Sequence, residues 1–203
     1  MLRPVRPVAL VILTACMLYP GVTMLYQGLY PFVAQEWFNL VGERNRGYTV
    51  ALATLAGGRI GIAAQALGIA QAALEAAVKY AGQRKQFDRA IGEFDAIREM
   101  LANMAIEVDT TRLLVYQASW LRDQGRAHIK EASLAKWHAS EAATRCANWA
   151  IQVHGGYGYL AEFTVERLWR DARICEIYEG TSEVQKMVVA AQLLKEHPLA
   201  APV

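Results

Sequence analysis

Residues 49–82 read TVALATLAGGRIGIAAQALGIAQAALEAAVKYAG, and no other stretch restricts the fold as strongly. Apolar and alanine positions recur over many turns, with charge only at Arg59, Glu75 and Lys79. This is the pattern of a long, largely buried helix starting near Gly47, with Gly82 as its expected stop. Gly57, Gly58, Gly61, Ala64 and Gly68 would let another backbone, or a ligand, approach it closely.

Further helical patterns follow. One runs from about Glu93 to Arg122, with Ile97, Leu101, Met104, Val108 and Leu114 or Val115 on one side. Another runs from about Ile129 to Val153, ending before HGGYGY. A short piece spans about Thr164 to Asp171, and a last helix runs from Ser182 to about Glu196, where Pro198 stops it. Short connections between long amphipathic helices predict an all-α, antiparallel, four-helix-bundle-like domain. At 203 residues and 54% hydrophobic content the chain can bury a proper core. Its 21 basic and 19 acidic residues are interspersed, so no run reads as a nucleic-acid partner site. Cys16, Cys146 and Cys175 are widely spaced, with no metal-ligand cluster, and the latter two read as reduced thiols.

Residues 1–38 differ in kind, because no charge occurs from Pro7 to Gln35. Arg3 and Arg6 followed by VALVILTACML have the form of a secretory signal, and Leu13 to Cys16 resembles a lipoprotein cleavage box. The stretch is long enough to span a bilayer, but Pro20, Gly21, Gly28 and Pro31 favour a loop or two short segments. The expectation is an apolar extension on a domain at 39–197. A cytoplasmic location is the default, and membrane association through the extension is the alternative.

Chemistry concentrates in EIYEGTSEVQ, Glu176 to Gln185. Ser182 and Gln185 have capping-box spacing, so Ser182 or Thr181 should cap the last helix and Glu179 should sit just outside its N-terminus. A carboxylate on a glycine-hinged loop can abstract a proton, and it can equally be a solvated charge that complements the helix dipole. QVHGGYGYL, Gln152 to Leu160, offers backbone N–H groups to a phosphate or a flat ring, or is a plain turn. Arg84 can clamp a pyrophosphate or pair with a neighbouring acid. His154 suits a helix C-terminus, and Glu183 suits the first turn of the last helix.

The order and spacing of GGRIGIAAQALGIAQAALEAAVKYAGQRKQF, QVHGGYGYL, RDARICEIYEGTSEVQ and AAQLLK resemble the C-terminal helical domain of the acyl-CoA dehydrogenase family, over about Asn39 to Lys195. The resemblance implies FAD as cofactor and an acyl-CoA thioester as substrate, with Glu179 as the base that removes the α-proton. It places Arg84, Phe87, Gln152, Val153, His154, Gly155, Gly156, Thr181, Ser182 and Glu183 on the cofactor, and Arg59 and Gly180 on the substrate. It implies no metal. It further implies a homo-oligomer, dimer or tetramer, with FAD at the subunit interface, and an electron-transfer flavoprotein as redox partner.

The chain departs from the family pattern in four places. Asp88 stands where Gly is frequent, Ala90 where Pro is frequent, Asp95 where a Gln commonly contacts the cofactor, and Ala56 where an acidic residue is usual. Neither the family's N-terminal helical domain nor its middle β domain is expected before residue 39. The competing expectation is therefore a non-catalytic, truncated helical bundle that acts as an oligomerisation or interaction module.

Overall fold

The computed structural model describes residues 47–197, with side chains from 54. The apolar extension and the start of the family-like segment lie outside the described residues. The chain divides into two units at Leu55/Ala56, and the second carries the helical domain. The elements are α1 (Gly47–Gln83), β1 (Lys85–Gln86), β2 (Arg89–Ala90), a 3-10 turn (Ile91–Glu93), α2 (Asp95–Asp123), α3 (Ile129–His154), a second 3-10 turn (Gly155–Tyr159), α4 (Thr164–Cys175) and α5 (Ser182–Glu196).

Helix α3 is the hub, packing against α2, α4 and α5. Its buried face is almost all small: Ala132, Ala135, Ala139, Ala142, Ala143, Ala147 and Ala150 are fully buried. Helix α1 answers with Ala63, Ala66, Ala70, Ala73 and Ala77, likewise fully buried and in one core cluster with the α3 face. Alanine faces permit close helix approach, while larger side chains on α2 fill the remaining volume. Met104, Val108 and Val115 are those side chains, and Thr111 completes their stripe. Val115 takes the buried position and Leu114 packs half-buried at its edge. By length and composition, Thr54–Gln83 is also apolar enough to cross a membrane, with 39% of its most apolar window buried in the bundle.

Several boundaries differ from the sequence expectation. Gly82 lies inside α1, which continues to Gln83, and the Arg84 N–H still bonds the Tyr80 carbonyl at 2.8 Å. The helix does not stop at Gly82, because nothing there requires a left-handed residue. Helix α2 starts at Asp95 because Phe94 is extended, with ψ 133°. Helix α4 runs on to Cys175, a full turn past the expected end, since Ala172 and Cys175 are buried and keep its apolar face in the core.

The hairpin between α1 and α2 has no counterpart in the sequence expectation. Gln86 pairs with Arg89, and the two turn residues, Phe87 and Asp88, have φ of 51° and 63°. Two consecutive left-handed residues match the type I′ turn that fits strand twist, a geometry glycine adopts without strain and aspartate tolerates. Asp88→Gly is therefore expected to stabilise the domain by about 0.5 kcal/mol, the left-handed strain relieved less the extra freedom of an unfolded glycine. A rise in thermal midpoint measures it.

Candidate functional site

The sequence-predicted residues gather in two places. The first is a groove of about 850 Å³ between the end of α1, the hairpin, the start of α2 and the end of α3. Arg84, Phe87, Gln152, Val153, His154, Gly155 and Gly156 all line it, beside Tyr80 and Tyr157. His154 is buried and stacks on Tyr80, with ring centroids 4.1 Å apart. Its Nδ1 lies 2.7 Å from the Ala150 carbonyl, so that nitrogen donates, and burial pushes the imidazole below its ordinary value. A neutral ring results, with Phe163 against its edge. Gly155 has φ 61°, which turns the chain out of α3 and leaves Gly155 and Gly156 exposed along the groove. The Arg84 guanidinium sits 5.5 Å from the Tyr157 ring. The groove thus combines flat aromatic surface, exposed backbone and one cation. Asp95 does not line it, and its fully exposed carboxylate faces Arg98 at 3.7 Å.

The second place is the loop between α4 and α5. Glu179 has φ 55° and Gly180 φ 93°, so two left-handed residues in succession carry the chain from α4 into α5. Thr181 caps α5, its hydroxyl accepting from the Val184 N–H at 3.4 Å. Ser182 is not the cap: its hydroxyl is buried without a partner among the described residues, and its N–H bonds the Glu176 carbonyl at 3.1 Å. Gln185 does not complete the expected capping box, and instead donates to the carbonyls of Glu179 at 3.2 Å and Gly180 at 3.0 Å. The backbone reversal at Glu179 and Gly180 presents those two oxygens to its side chain, which displaces the box geometry. Glu183 is exposed in the first turn of α5, and its carboxyl lies below the ordinary value because it accepts from its own backbone N–H and the Thr181 hydroxyl.

The Glu179 side chain points back to α1. A Cβ on Gly58 would lie 2.6 Å from its Oε2, so this glycine makes the room the carboxylate occupies. That oxygen is buried with no hydrogen-bond partner among the described residues. The same crossing holds Arg59, which is 7% exposed. Burial pushes the Arg59 guanidinium down from its ordinary value and the Glu179 charge raises it. Its Nη1 donates to Ser133 Oγ of α3 at 3.3 Å, while Nε has no partner among the described residues. Gly61 and Gly68, also expected to allow close approach, have nothing among the described residues within 4 Å of a Cβ position.

Two buried polar residues here escape a motif-based reading. Lys136 is fully buried, and its Nζ donates to the Gly180 carbonyl at 2.7 Å. Ser133, which accepts from Arg59, is the other. The signal for Lys136 is its setting: the residues three and four positions away are Ala132, Ser133, Ala139 and Ser140, a small-residue face that can only be packed. Tyr178 donates to Gln65 Oε1 at 2.6 Å and ties the loop to α1. Among the described residues no group of His, Cys, Asp and Glu is arranged to hold a metal ion.

The bundle thus carries two candidate places, a left-handed loop on which one carboxylate oxygen is buried without a partner among the described residues and a separate aromatic–arginine groove, and comparison with known proteins defines the class. Residues 45–194 match the family described as Acyl-CoA dehydrogenase, C-terminal domain, and the chain belongs to the acyl-CoA dehydrogenase family. It is 55% identical over 157 residues to the 3-(aryl)acrylate reductase of Clostridium sporogenes, covering 77% of this chain and 42% of that protein. It is 49% identical over 158 residues to the caffeyl-CoA reductase–Etf complex subunit CarC of Acetobacterium woodii, covering 78% and 42%. The butyryl-CoA dehydrogenase structure from Megasphaera elsdenii superposes with a TM-score of 0.74 at 48% identity, over 75% of this chain and 40% of that one. The chain thus spans about two fifths of the length of these relatives.

Proposed function

We propose that this domain takes part in FAD-dependent α,β-dehydrogenation of an acyl-CoA thioester, with Glu179 as the base that removes the α-proton. One observation carries the reading: a carboxylate oxygen is buried without a partner among the described residues, on a left-handed residue, in a space that Gly58 keeps open. Leaving a buried polar atom unpaired costs free energy, and such atoms concentrate where a ligand completes the site. A thioester α-C–H is weakly acidic, so its removal needs a positioned base.

The residues present fit FAD. Arg84 suits a pyrophosphate, and the aromatic walls and the exposed backbone from Gln152 to Gly156 suit a flat ring or a phosphate. Phe87 presents its ring at the hairpin tip, while Thr181, Ser182 and Glu183 supply hydroxyl and helix-terminal groups beside the base. Held by these residues, FAD would supply the acceptor for the β-hydrogen, which leaves as hydride. Glu179 receives the α-proton, Gly180 lets the thioester approach, and Arg59 lines the substrate side. The groove and the base loop share no lining residue, so the reading assigns them to cofactors of different subunits in a homodimer or homotetramer. One relative's name supports an electron-transfer flavoprotein as partner, and the names divide over the substrate, an arylacrylate in one and a butyryl thioester in another. A cytoplasmic location goes with this reading, and fractionation separates it from membrane association through residues 1–38.

Gly58→Ala tests the geometry. The new methyl forces the Glu179 carboxylate aside and is expected to lower flavin reduction by about 10²-fold. Stability should not fall, because alanine gains up to about 1 kcal/mol over glycine within a helix. The reading as a whole is tested by adding FAD to the purified chain and following flavin absorbance on anaerobic addition of butyryl-CoA. Bleaching supports dehydrogenation by this chain, and absence of both flavin retention and bleaching contradicts it. The second outcome would favour an oligomerisation module, for which the exposed stripe of Ile106, Leu113, Tyr116 and Trp120 on α2 is the supporting observation.

A further inference from the structure

We infer that Lys136 is a positioning residue for the base: its buried ammonium clamps the Gly180 carbonyl and so fixes the left-handed backbone that aims Glu179. This inference rests on the reading of Glu179 as base. The geometry behind it is independent of that reading. Lys136 is fully buried in the small-residue face of α3, and its Nζ reaches the Gly180 carbonyl at 2.7 Å. That carbonyl also accepts from Gln185 of α5 at 3.0 Å, and Gln185 reaches the Glu179 carbonyl at 3.2 Å. Helices α3 and α5 thus grip the carbonyls of Glu179 and Gly180, the two loop residues with positive φ. One turn earlier on α3, Ser133 holds the Arg59 guanidinium at 3.3 Å. A single face of α3 therefore organises the backbone of the carboxylate and the cation that faces it.

Energetics point to position rather than stability as the contribution of the charge. The groups facing Lys136 are Arg59 of α1, Cys175 of α4, and Glu176 and Glu179 of the connection. Burial outweighs the attraction of the acids and pushes the ammonium down to about 8 from an ordinary 10.5. A lysine lowered in this way leaves the unfolded chain holding more protons between those two values. Stability then rises with pH across that window, so the charged form opposes folding. A neutral side chain of similar length would suit the core better, whereas a charge-assisted hydrogen bond holds a carbonyl more firmly than a neutral one.

The test compares amide hydrogen exchange in the parent chain, Lys136→Met and Lys136→Gln at neutral pH, with no flavin present. Methionine keeps the bulk and removes the donor, and glutamine restores a donor without the charge. The expected result is a rise of tenfold or more in exchange confined to residues 176–185 in Lys136→Met, only partly reversed in Lys136→Gln, whose donor lacks the charge. Exchange in that segment equal to the parent's overturns the inference. So does a rise spread evenly over all helices, which marks Lys136 as a packing residue only. Should Lys136→Met not fold, the parent is followed from pH 7 to 9.5 with the intrinsic pH dependence of exchange removed. Loss of protection confined to the base loop as the ammonium deprotonates supports the clamp, and constant relative protection overturns it. Bleaching by butyryl-CoA then separates this inference from the reading beneath it. A Glu179→Gln chain that bleaches like the parent sinks the base assignment, and the clamp then stands or falls on hydrogen exchange alone. A Lys136→Met chain that bleaches like the parent, where Glu179→Gln does not, sinks the clamp alone.

Discussion

Glu179→Gln is expected to lower flavin reduction by butyryl-CoA about 10³-fold, the scale on which a positioned general base contributes. Glutamine has the size and shape of glutamate, so the space beside Gly58 stays filled and the loop keeps its path. What disappears is the ability to accept a proton, because an amide oxygen is far less basic than a carboxylate. Loading with FAD should be unchanged, since the groove holding Arg84 and Gln152 to Gly156 does not include residue 179. The variant therefore separates a cofactor defect from a chemical one. Rapid mixing of loaded parent and variant with butyryl-CoA measures the ratio.

Gly180→Ala is the largest stability change expected in the site, a loss of about 3 kcal/mol. An L residue in a left-handed conformation costs about 1–2 kcal/mol, and Gly180 has φ 93°. The added Cβ would also lie 2.6 Å from Gln185 Nε2, displacing a buried side chain that bonds the carbonyls of Glu179 and Gly180. Unmaking buried hydrogen bonds of this kind adds about 1–3 kcal/mol. Urea denaturation should show a lower midpoint with an unchanged slope, because the core that sets the slope is untouched.

The bundle is legible because α1 and α3 carry their burial in composition: long alanine-rich faces have one stable use, which is packing against each other. The start of α5 and the position of Glu179 just before it are legible for a related reason, since Thr181 and Ser182 are residues that favour helix starts. The details of the loop are not. Ser182 and Gln185 have capping-box spacing, yet Gln185 turns to two carbonyls that exist in its reach only because Glu179 and Gly180 are both left-handed. A non-glycine residue with positive φ has no sequence signature of its own. The hairpin at Phe87 and Asp88 escapes the sequence for the same reason, as neither residue announces a left-handed turn. Among five small residues on α1, sequence does not separate Gly58, which makes room for a carboxylate, from Gly61 and Gly68, which no described residue approaches. Lys136 is legible in its neighbours and invisible as a motif, because a buried lysine is recognised by the face it sits on.

The base assignment is tested most directly by a substrate that has an α-proton and no β-carbon. Acetyl-CoA can lose its α-proton but cannot transfer a β-hydride, so incubation with the FAD-supplemented chain in deuterium oxide isolates proton abstraction from redox chemistry. Methyl-proton exchange followed by NMR should be accelerated by the parent chain and fall to the protein-free rate in Glu179→Gln. Equal acceleration by parent and variant would contradict the assignment of Glu179 as the base.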